Sequence, residues 1–80
     1  MYTPTPEQIA WHYSAMFDSV SLIDGVIAGT FMQNAAEPVR REAVERNVRH
    51  LEIMLAKDFW TDEDMSAVNA AIAAGHAYLA

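Results

Sequence analysis

The sequence predicts an all-α fold, a compact three-helix domain over residues 1–80 that associates through its first helix. Three observations carry the fold prediction. Apolar residues recur at steps of three and four in three separate segments, the spacing of one helix face. Each segment opens on a helix-start signal. No stretch alternates apolar with polar residues as a half-buried strand would. A chain this short buries only about 60% of its unfolded surface, so the core must be thin. With no cysteine, no disulfide reinforces it.

The first helix is predicted over residues 6–29. Thr5 is a good N-cap, Pro6 suits the first helical position, and Gln8 completes a capping box. Its apolar stripe is Ile9, Tyr13, Met16, Val20, Ile23 and Ile27. Gly29 is placed to end it.

The second helix is predicted over 37–57, after the turn-like "QNAAEP" and with Pro38 in its first turn. Val44, Val48, Leu51 and Leu55 form its stripe, widened by Asn47 and Met54. Glu42 with Arg46, and Glu45 with Arg49, are i,i+4 pairs in the favourable order, each contributing about 0.2–0.5 kcal/mol.

The third helix is predicted over 62–79. Thr61 is its N-cap, and Asp62, Glu63 and Asp64 fill the first turn, where the helix dipole favours negative charge. Trp60 and Met65 have the spacing of a hydrophobic staple. The stripe runs through Met65, Val68, Ile72, Gly75 and Leu79 among alanines.

The net charge is −6, and its distribution is uneven. Residues 1–36 hold Glu7, Asp18 and Asp24 and no base. All five bases lie between 37 and 57, interleaved with glutamates, and residues 58–80 are again acidic. This excludes a general nucleic-acid binder, whose contact face should be uniformly basic. The most apolar run, "SLIDGVIAGTF", is shorter than the ~20 residues of a membrane span and contains Asp24. The start of the chain has neither the basic nor the apolar part of a signal peptide.

No motif asks for catalysis. There is no phosphate loop and no His-Glu-x-x-His, and His12, His50 and His76 fall on three different helices. No enzyme activity, cofactor or metal is expected.

What stands out is surface. With Met16 as the core direction, Trp11, Ser14, Asp18, Ser21, Leu22, Gly25 and Gly29 fall on the far side of the first helix. A monomeric surface helix should carry charge there. This one carries little, and Ser21, Gly25 and Gly29 make a small-residue row that would admit another backbone. A second patch is expected on the second helix, where Ile53 faces away from the stripe among Arg46, Arg49 and Lys57, with Trp60 approaching. Tryptophan and arginine are enriched in such anchors. Asp24, beside the apolar stripe, is expected to be tied by a hydrogen bond or by an arginine of the second helix.

The run "RNVRHLEIMLAKDFWTDEDMSAVNAAIAAG", residues 46–75, resembles small uncharacterised proteins encoded by bacteriophages and prophages. "HYSAMFDSVSLIDGVIAGT" resembles the first helix of the same set. The resemblance implies a phage or prophage origin and a small accessory role in the cytoplasm of a bacterial host. It brings no catalytic residues. The expected mode of action is protein contact, with self-association into a homo-oligomeric structural or accessory component first. A small acidic inhibitor or regulator of a host protein is the alternative.

Overall fold

The computed structural model describes residues 3–57 and 59–80. Three helices account for most of these residues: α1 (Pro6–Ala28), α2 (Glu37–Met54) and α3 (Asp62–Leu79), each packed on the other two. Arg41, early in α2, reaches the last turn of α3, while Trp60, just before α3, reaches Met54 at the end of α2. The two helices are therefore antiparallel. None of the helices is long and apolar enough to cross a membrane.

The predicted caps form. Thr5 accepts from the Gln8 N–H, and the Gln8 side chain accepts from the Thr5 N–H, at 3.2 and 2.8 Å. Thr61 and Asp64 make the same reciprocal pair at the start of α3. In this way donors orphaned at both helix starts are satisfied. α2 starts without a side-chain cap. It stops at Met54, three residues before its predicted end, because the Trp60 indole N–H donates to the Met54 carbonyl at 2.6 Å and folds the chain back there.

Met16, Ile23, Val44, Leu51 and Val68 are fully buried at the centre. The core face of α1 is His12, Met16, Ser19, Ile23 and Val26. That is about 60° around the axis from the predicted stripe, counting about 100° per residue. Tyr13 and Val20 flank the core half-buried, and Ile27 is exposed. The rotation has a polar cause: Ser19 Oγ and His50 Nδ1 lie 2.8 Å apart across the α1–α2 contact, so the buried serine is satisfied by a half-buried histidine. The stripe of α2 holds, with Val44, Val48, Leu51 and Met54 buried. On α3, Val68, Ala71 and Gly75 are buried, whereas Met65 is exposed.

Candidate interaction surface

α3 approaches its neighbours from one side. Tyr13 donates to Asp64 Oδ2, His76 Nε2 stands 3.6 Å from Glu52, and Arg41 donates to the Tyr78 and Leu79 carbonyls. The Ser19–His50 bond marks where α1 meets α2. Going round α1 from Tyr13 through Ser19, Trp11 and Asp18 come next, turned away from α3. On α2, Arg46 and Ile53 lie beyond His50 and opposite Glu52 and Arg41. One outer face, formed by α1 and α2, thus carries residues from both predicted patches.

Trp11 and Ile53 are the two most exposed large apolar side chains among the described residues, at 66% and 64%. Ser14, Asp18 and Ser21 are exposed on α1, and Arg46 and Arg49 on α2. Arg46 pairs with Glu42 at 2.9 Å and Arg49 with Glu45 at 3.0 Å, as the spacing predicts. Both pairs are solvated, where an ion pair contributes little.

Five expectations need correction. Trp60 is 8% exposed and belongs to the core, where its ring meets Tyr13 edge-on at 4.8 Å, so it is not part of the Ile53 patch. Leu22 is half-buried against the core. Gly25 is covered by its own chain. A β-carbon there would lie 2.8 Å from Phe31 Cβ, and the Thr30 and Phe31 N–H groups both donate to the Gly25 carbonyl. Gly29 has φ +78 and caps α1 in the left-handed conformation. The glycine row thus closes α1 and offers no free groove. Asp24 is exposed and has no cationic partner among the described residues.

The titratable groups serve the helix contacts. Tyr13 is raised above the ordinary tyrosine value, first by its hydrogen bond to Asp64 and then by burial. Asp64 is held below the ordinary carboxylate value, first by the Tyr13 hydroxyl, against an opposing push from burial and with help from Thr61. His12 is buried, with its ring 5.0 Å from Trp11 and 5.7 Å from Phe59. No three potential metal-binding side chains come together among the described residues. A serine oxygen beside a histidine nitrogen is the geometry of an activated nucleophile. Ser19, however, is 5% exposed between two helices, and there it bridges them.

No protein-family profile, curated protein or solved structure matches this chain.

Proposed function

We propose that this protein acts by contact with other protein chains, as a self-associating structural or accessory component of phage or prophage type. On this reading it works in the cytoplasm of a bacterial host and performs no chemistry of its own. The supporting observation is the exposure of Trp11 and Ile53, which helix rotation puts on the α1–α2 outer face. Large apolar side chains grouped on one face of a small domain mark an interaction site. Light scattering behind a sizing column, over a range of protein concentrations, should give a mass above that of one chain. A single-chain mass throughout would overturn self-association and turn the reading to a regulator of a host protein.

A further inference from the structure

We infer that the contact is a two-fold pairing in which α1 of each copy lies against α2 of the other. This deepens the self-association reading and rests on it. The argument comes from charge. α1 contains Glu7, Asp18 and Asp24 and no base, whereas α2, with Arg40, Arg41, Arg46 and Arg49 among Glu37, Glu42, Glu45 and Glu52, is net neutral and is the one helix that offers cations to an acidic partner. If α1 packed on α1 of a second copy, acids would face acids, and like charges brought together in an interface oppose association. If α1 packs on α2 of a second copy, Asp18 meets Arg46 and Arg49, and the two-fold repeats this contact twice. The arginines are available for it. Their present partners, Glu42 and Glu45, hold them only in exposed pairs along the same helix, and an arginine, with five N–H donors, can keep its glutamate while it donates to a second carboxylate. Trp11 of one copy then covers the side of α2 that carries Ile53, removing the two most exposed large apolar side chains from water together.

The test is a charge swap read by sedimentation equilibrium. Asp18→Arg alone, and Arg46→Asp with Arg49→Asp alone, should each weaken association by roughly tenfold or more. Mixing the two variants should restore it as a heterodimer, because every α1–α2 contact then joins opposite charges. Raising the salt should weaken the wild-type dimer. Circular dichroism checks that each variant folds. If charge reversal melts α2, Arg46→Gln with Arg49→Gln removes the attraction without adding repulsion and should still weaken the dimer. A wild-type dimer indifferent to all these changes, or no recovery on mixing, would overturn this pairing and leave self-association standing. A wild-type monomer would overturn self-association itself.

Discussion

Gly75 of α3 lies directly against Val48 of α2: a β-carbon on Gly75 would overlap Val48 Cγ2. Val44 and Ile23 close the same spot at 3.5 and 3.7 Å, so all three helices meet there. Valine is stiff at χ1 and cannot swing aside.

Gly75→Ala should therefore destabilise the fold. Alanine gains about 1 kcal/mol in helix propensity, but overpacking a dense core costs about 1–3 kcal/mol. A modest net loss is expected in urea unfolding. Adding Val48→Ala opens the space the new methyl needs, so the double variant should be more stable than the two single losses predict, with a coupling of about 0.5–3 kcal/mol. Strict additivity would show that the close approach carries no strain.

The Tyr13–Asp64 tie makes stability depend on pH in a defined window. Asp64 is lowered in the folded state, so its contribution is present above the unfolded carboxylate value and is lost as pH falls through the folded one. Tyr13 is raised, so its contribution is full below about pH 10, the unfolded tyrosine value, and is lost as pH rises through the folded one. Tyr13→Phe should lower Tm at neutral pH, and the difference from wild type should shrink in acid. An equal difference at pH 3 and pH 7 would mean that the hydroxyl acts only through packing.

Ile53→Glu should leave the monomer intact. The side chain is 64% exposed, so a glutamate there keeps its charge in water. The unfolding free energy should change by no more than about 0.5 kcal/mol, while the solution mass falls toward that of one chain. A large loss of stability would place Ile53 in the core and remove it from the surface argument.

Trp60→Phe should do the reverse. It removes the donor to the Met54 carbonyl, which costs about 0.5–1.5 kcal/mol for the hydrogen bond alone, and it loosens packing against Tyr13 and Phe59. The melting temperature should fall with the oligomeric mass unchanged at temperatures where the protein is folded. An unaffected melting temperature would mean that α2 ends at Met54 for another reason.

The helix limits were legible because caps are local chemistry. Thr5 with Gln8 and Thr61 with its acids sit within one turn of what they cap, and both starts fall where the sequence places them. The end of α2 was not legible, since the group that stops it is six residues on and faces inward. The core face of α1 was misjudged for a related reason. His12, Met16, Ser19, Ile23 and Val26 have the same steps of three and four as the predicted stripe, but two of them are polar. Only the partner across the helix contact makes Ser19 a core residue, and spacing within α1 does not reveal His50. The competing register was the available signal. Of the surface residues, Trp11, Asp18, Arg46, Arg49 and Ile53 were placed correctly by rotation alone. Gly25 and Gly29 were not, because a glycine needed by a returning loop looks the same in sequence as one left open for a partner.

The two tryptophans occupy opposite environments, Trp11 in water and Trp60 inside. Their fluorescence therefore divides into two channels. Emission from Trp11 should be red-shifted and open to collisional quenchers such as iodide, and it should lose that access when a second chain covers the outer face. Emission from Trp60 should be blue-shifted and protected until the helices separate. The molecule thus carries separate optical reporters for assembly and for unfolding, so a dilution series and a thermal melt can be followed in the same cuvette without a label.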